Sequence, residues 1–493
     1  MKLYFFGHEY RYAAEQMLMT LFPGEKPEYP EGKPSGRRME VRLHRAACLT
    51  TAVCLYCSGE ASFSGRAAVR NAALTDAVTI SSLCQQIIKL AIYRAVLRSG
   101  REKPAWGALT GVRPGKLMAP LLQKGMTREQ ALSSFMKSYD VSPARAELCA
   151  DAAVYTMNAD RSLNDRDVCL YLGVPFCPTR CSYCSFVSQS VEKNMAMIPA
   201  FLKGLSYEIA AVAGQVTTAG LHPVSFYIGG GTPTTLSAEQ LDSLLLELET
   251  AFDFSRLREF TVEAGRPDTI SMEKLRVLRN HGVNRVSVNP QTMSDQVLDI
   301  IGRKHSAQDI LDALDLVQKV GGFQVNMDLI AGLPGDTEEG FRETLDTVLE
   351  LAPENITVHT LSIKRGARLR FGDARLPTDA EVAGMLDYAA AGLRGRAYAP
   401  YYLYRQKNMS GGFENVGWTQ PDCENLYNIC IMEELCSILA MGAGGSTKLI
   451  RRDGGKNERM IAPKYPQEYL DAMDRICREK ERIGQFFHSA KGE

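Results

Sequence analysis

The sequence predicts an α/β protein, a partial (βα)6 barrel over residues 166–375, with an N-terminal α+β domain (1–165) and a smaller C-terminal helical region (376–493) expected to cover a bound substrate. Three observations carry this. The pattern changes near Asp167, where short β-branched runs begin to alternate with helical periods. Six such β/α units follow in series, which implies a parallel sheet with helical crossovers. Polar motifs recur just after the strand candidates, and in barrels the C-terminal strand ends are where chemistry is placed.

Taken in order, the chain opens with a strand-like stretch from Lys2 to Gly7, a β-rich stretch from Met39 to Ser58 and a periodic helix from Ser81 to Leu97. "WGALTGVRPGKL" (Trp106–Leu117) has Gly and Pro where a loop needs them, and its Arg113 and Lys116 are read as solvated residues of a turn. The pair Cys54 and Cys57 sits in an apolar β-like run and is read as core packing. The barrel strands are expected at Cys169–Val174, Val224–Ile228, Glu259–Glu263, Asn284–Val288, Gln324–Leu329 and Asn355–Leu361. Amphipathic helices such as Ala238–Ala251 and Glu338–Leu351 lie between them.

Composition narrows the class. Lys plus Arg equals Asp plus Glu at 57 each in 493 residues, so no net field favours nucleic acid or an anionic membrane. Charge interrupts the first residues too soon for a secretory leader, and no uninterrupted apolar run reaches the roughly 18 residues that span a bilayer. A cytoplasmic protein with no membrane span and no nucleic-acid partner is expected. Thirteen cysteines, an odd and scattered set, fit a reducing compartment better than a disulfide framework.

The chemistry concentrates in "PFCPTRCSYCSF", where Cys177, Cys181 and Cys184 fall in one loop after the first barrel strand. A disulfide uses an even number of thiols, and structural zinc takes four ligands. Three thiolates without a nearby His match an iron–sulfur cluster with one iron left open. "GGGTPT" (Gly229–Thr234) follows the second strand, Glu263 closes the third, "NPQ" (Asn289–Gln291) follows the fourth, and Asp328 lies near the end of the fifth. Glycines without Cβ atoms let backbone polar groups approach a ligand closely. The carboxylates suit hydroxyl groups, and Arg303 suits a carboxylate through its forked donors.

These residues carry a resemblance. CxxxCxΦC with Tyr183 as the aromatic position resembles the signature of the radical S-adenosylmethionine (SAM) enzymes. "GGGTPT", "VEAGRPDT", "VNRVSVNPQTMSDQVLDIIGRKH" and "VNMDLIAGLPGDT" resemble the oxygen-independent coproporphyrinogen III oxidase family within it. "YYLYRQKNMSGGFENVGW", "NLYNICIMEE" and "WGALTGVRPGKL" look most like its HemZ branch of coproporphyrinogen dehydrogenases. The resemblance implies a radical SAM barrel, a [4Fe–4S] cluster on Cys177, Cys181 and Cys184, and SAM bound by Tyr183, Gly229, Gly230, Gly231, Thr232, Glu263, Gln291, Arg303 and Asp328. Tyr171 is given a catalytic place beside the cluster. It also implies a porphyrinogen substrate and an electron donor such as flavodoxin or ferredoxin. Phe186 stands where the best-known oxidases of the family have a fourth cysteine, a feature shared with the HemW-type haem chaperones.

Three functions follow from that resemblance. A decarboxylating oxidase would convert coproporphyrinogen III to protoporphyrinogen IX, using cations such as Lys364, Arg365, Arg368, Arg405 and Lys407 to hold propionates. A haem chaperone would use His359, Met409 or a cysteine as axial ligand. A radical methylase acting on haem would share the same cluster. The C-terminal HemZ-like motifs favour the first.

Overall fold

A computed structural model describes all residues except 112, 185–188, 191–194, 363–373, 407–411, 453–454 and 490–493. Phe186, Lys364, Arg365, Arg368, Lys407 and Met409 therefore lie outside the described residues. Two compact units are present, one of Met1–Ala150 with Gly411–Phe413 and one of Asp151–Ser410 with Glu414–Glu493.

In the first unit, β1 (Lys2–Phe6), β2 (Arg38–Arg45), β3 (Leu49–Ser58) and β4 (Ala61–Arg70) form a sheet in that order. The β1–β2 pair is parallel and the others antiparallel. The helix Ala77–Leu97 packs on this sheet, so closely that a Cβ on Gly65 would lie 2.1 Å from the carbonyl oxygen of Ala91. It begins one turn before the expected Ser81 because the Asp76 carboxylate accepts from the amides of Val78 and Thr79, satisfying two otherwise orphaned donors. Cys54 and Cys57 are buried in β3.

The second unit is built on one sheet. Its strands are β5 (Asp167–Val174), β8 (His222–Gly230), β9 (Glu259–Glu263), β10 (Arg285–Ser287), β11 (Gln324–Ala331), β12 (Asn355–Thr360), β13 (Ala399–Arg405), β14 (Glu414–Thr419), β15 (Ser437–Gly442), β16 (Ser446–Leu449) and β17 (Glu458–Ile461). A separate two-residue pair, β6 (Phe176–Cys177) and β7 (Gln189–Ser190), follows β5. The order β13-β14-β12-β11-β10-β9-β8-β5-β15-β16-β17 places the six expected strands side by side and parallel, in chain order. The sheet is open, so the barrel is partial.

The C-terminal segment is more than a helical cover. It adds β14 antiparallel to β12 at one flank and β15 parallel to β5 at the other. Its helix Leu426–Glu433 is anchored by Glu259 at the start of β9, whose carboxylate accepts from Leu426 N at 2.8 Å and Tyr427 N at 3.3 Å. One helix, Met195–Ala219, is long and apolar enough to cross a membrane by length and composition. Within it Phe201, Leu205, Ile209, Val212 and Val216 recur at helical spacing as a buried face. Buried Glu208 on that face pairs with Lys480 at 2.9 Å, as in a core helix.

Candidate functional site

The cysteine loop is held at both ends by backbone hydrogen bonds. Phe176 is fully buried, edge-on to Phe201 at 5.4 Å, and it fixes the first cysteine's neighbour. The glycine loop after β8 lies directly against this segment. Gly231 N donates to Val174 O and Thr232 N to Phe176 O, both at 2.7 Å. A Cβ on Gly231 would meet the Phe176 carbonyl oxygen at 2.4 Å, and Gly230 has φ +107°, so only glycine permits this approach. Further along, Ser182 N and Oγ both donate to Ile301 O at 3.0 Å. Tyr183 packs against the apolar cluster that contains Val297, Leu298 and Ile301, and its hydroxyl accepts from Arg303 Nη2 at 3.3 Å.

Cys177, Cys181 and Cys184 line a cavity of about 400 Å³ together with Tyr183, Gly230, Gly231, Thr232, Glu263, Gln291, Arg303 and Asp328. Two expected residues stand behind the wall. A Cβ on Gly229 would sit 2.8 Å from the Glu263 carboxyl carbon, so its bareness makes room for that side chain. Tyr171 is stacked behind Tyr227 and Tyr427, at 6.3 and 6.1 Å between ring centroids, and does not line the cavity. Side chains alternate along a strand, and Tyr171 faces the packed helix Leu426–Glu433 rather than the open rim.

Their surroundings push the two carboxylates in opposite directions. Burial pushes Glu263 up to about 7, helped by the Asp328 charge and opposed by the Tyr227 hydroxyl that donates to it at 2.7 Å. Burial also opposes ionisation of Asp328, but His359, with Nε2 3.7 Å away, and a hydrogen bond from Asn326 Nδ2 at 2.8 Å hold it below the usual carboxylate value. Arg303 donates from Nη1 to Asn289 O at 2.7 Å, while its buried Nε has no partner among the described residues. Gln291 is one of few non-glycine residues with left-handed φ, +68°, held by Gln291 N to Asp328 O and Ile330 N to Gln291 O. Such strain persists where the surroundings over-determine it.

Sequence reasoning missed Arg266. It is 3% exposed, donates to Thr179 Oγ1 at 3.1 Å, clasps Asp268 and reaches within 3.9 Å of Cys181 Sγ. An arginine directly after a strand-end glycine in "GRPD" was the available signal. Asn289, the first residue of the "NPQ" motif, accepts through Oδ1 from Asp328 N at 3.2 Å, whereas the cavity wall of Tyr402, Tyr404 and Asn415 was missed. These three lie on β13 and β14, inside the HemZ-like stretch Tyr401–Trp418, which points to a family without saying which side chains face a cavity. Arg405 is buried on β13 and is not part of the cavity lining.

The donor set fits an iron–sulfur cluster. Three soft sulfur ligands face one cavity, Thr232 Oγ1 lies 3.5 Å from Cys177 Sγ, and Arg266 approaches Cys181, so each of these two sulfurs has a donor beside it. A further polar ligand has an unused donor waiting in Arg303 Nε.

An open sheet of six parallel strands with three thiols after the first and a glycine loop against them defines a radical SAM protein, and the radical SAM superfamily model matches residues 171–348. Its cofactors are a [4Fe–4S] cluster and SAM. The chain belongs to the oxygen-independent coproporphyrinogen-III oxidase-like HemZ family: it is 39% identical over 380 residues to that protein from Bacillus subtilis (strain 168), spanning 76% of each chain. It is also 34% identical over 195 residues to the heme chaperone HemW of the same strain, spanning 39% of this chain and 50% of that one. Among solved structures, the coproporphyrinogen III oxidase HemN from Escherichia coli shares the fold, with a TM-score of 0.52 over 66% of this chain and 72% of that one at 24% identity.

Proposed function

We propose that this protein is a coproporphyrinogen III dehydrogenase, which oxidatively decarboxylates two propionates to vinyl groups and yields protoporphyrinogen IX. The observation that carries the reading is a single cavity whose one side is the three-thiol loop and whose other side is a polar wall of Tyr402, Tyr404 and Asn415 from the C-terminal strands. The relation to HemZ over three quarters of the chain supports it.

Cys177, Cys181 and Cys184 would hold the cluster. Gly230, Gly231, Glu263, Gln291, Arg303 and Asp328 would hold SAM, with Gly229 giving Glu263 room and Tyr171 buttressing Tyr227. When bound, these groups supply one electron and the hydrogen-abstracting adenosyl radical. Ionised Asp328 accepts from ribose hydroxyls, and Arg303 Nε is free to donate to a carboxylate. The aromatic wall excludes water and fixes the propionate β-carbon near the reacting atom. Each propionate loses one hydrogen atom, one CO2 and one electron, the last to an external acceptor, and becomes a vinyl group. A low-potential donor such as flavodoxin or ferredoxin would supply the cluster. Thirteen cysteines, an odd and scattered set, suit a reducing, cytoplasmic setting.

A second reading, a haem-binding chaperone, is favoured by the HemW relation and by His359 in the cavity wall, where it could serve as an axial ligand. One anaerobic experiment separates the two. Reduced protein, SAM, an electron acceptor and coproporphyrinogen III deuterated at the propionate β-carbons should release CO2 and transfer deuterium into 5′-deoxyadenosine. Stoichiometric haem retention with neither product would replace the dehydrogenase by the chaperone.

A further inference from the structure

A second group of three cysteines lies apart from the cavity. Cys169 is on β5, Cys430 on the helix Leu426–Glu433 and Cys436 just before β15, all buried, and their sulfurs lie within 4.8 Å of one another. Cys169 and Cys436 are 3.5 Å apart, although 267 residues separate them in the chain. Leu163, Val224, Ile438 and Tyr427 surround the group with apolar surface. Between it and the cavity stand Tyr171 and Tyr427, the latter stacked at 4.6 Å on Tyr227, whose hydroxyl meets Glu263. None of the three cysteines lines the cavity.

The spacing discriminates among the things three thiols do. A disulfide brings two sulfurs to about 2.0 Å and leaves the third unused. A cubane cluster binds each thiolate to a different iron and so holds them farther apart than one ion does. A single ion with metal–sulfur bonds of about 2.3 Å puts three ligands in a plane at about 4 Å from one another. The 3.5 Å between Cys169 and Cys436 and the gathering of all three sulfurs within 4.8 Å lie near that value. Soft thiolates without oxygen or imidazole partners select soft metals.

We propose that Cys169, Cys430 and Cys436 form a second metal site, which takes one soft, thiophilic ion in three-coordinate fashion. The site would clip the first strand of the sheet to the C-terminal helix and strand. Binding displaces the thiol protons to solvent.

The test uses the full chain with Cys177, Cys181 and Cys184 all changed to Ala, which removes the competing thiols of the cavity. Purified anaerobically under reductant, it is titrated with Cu(I) against a chromogenic chelator and, in a second arm, with Zn(II). One equivalent of either ion should bind and raise the melting temperature, and Cys430→Ser or Cys430→Ala on the same background should abolish both effects. Circular dichroism establishes that at least one of the two variants is folded. The proposal is overturned if neither ion binds stoichiometrically, if binding survives in a folded Cys430 variant, or if peptide mapping shows Cys169 and Cys436 joined as a disulfide under reductant.

Discussion

At the scale of single residues, Glu263 is a cavity carboxyl whose proton affinity is raised by burial. Its folded value of about 7 lies above the ordinary glutamate value near 4.5, so the folded protein keeps a proton that the unfolded chain releases between those limits. Stability contributed at this position is therefore present at low pH and is lost as pH rises from about 4.5 to 7. Compared with Glu263→Gln, wild type should lose roughly 2–3 kcal/mol across that window, read from urea unfolding of the ligand-free protein at several pH values. A flat difference would remove Glu263 from the buried set. Gly231 makes a steric prediction: Gly231→Ala pushes a methyl into the Phe176 carbonyl and should displace the start of the cysteine loop, lowering iron content well below four per chain while Gly214→Ala, in open space, does not. Cys177, Cys181, Cys184 and the glycine loop were legible because both are short motifs whose spacing itself encodes the chemistry. Arg266 and Tyr402 were not, since their meaning lies in what they face across the fold.

Elements were legible where a cap marked them. The helices Ala238–Ala251 and Glu338–Leu351 match the expected bounds, each preceded by a Ser or Thr whose side chain accepts from the first turn. The run "SILAMG" escaped notice because so short a stretch, apolar from Ile438 to Met441, fits a buried strand and a buried helix turn equally well. The helix Leu426–Glu433 has an unusual anchor, for its first amides are received by Glu259, which also accepts from Ser225 Oγ at 3.0 Å. Glu259→Ala orphans these buried donors and leaves Arg285, 3.7 Å away, without its carboxylate. A loss of about 2–4 kcal/mol is expected, with Glu259→Gln intermediate, measured as the shift in denaturation midpoint at constant slope. Unchanged stability in the Ala variant would show that the helix is anchored elsewhere.

For the whole molecule, the six parallel strands could be read in order because βαβ units follow one another along the chain and leave a periodic trace. Their flanks could not, since β14 and β15 join the sheet through pairings that no local pattern announces. Deleting residues 436–493 removes the parallel partner of β5 and exposes Val168, Leu170 and Leu172 on an unpaired edge. The truncated chain should accumulate in the insoluble fraction and carry no cluster, although every cysteine of the loop remains. A soluble, iron-loaded truncation would show that the C-terminal strands are dispensable.

The β5–β15 pairing also sets a clock. Cys169 precedes Cys436 by 267 residues, and at ordinary translation rates of 5–20 residues per second the second arrives about 13–50 s after the first. Throughout that interval the founding strand of the sheet has no neighbour on one side, while the strands of its other side are already emerging from the ribosome. This strand pairing is thus scheduled by synthesis, and the nascent chain needs protection for as long as more than half of its length takes to be made.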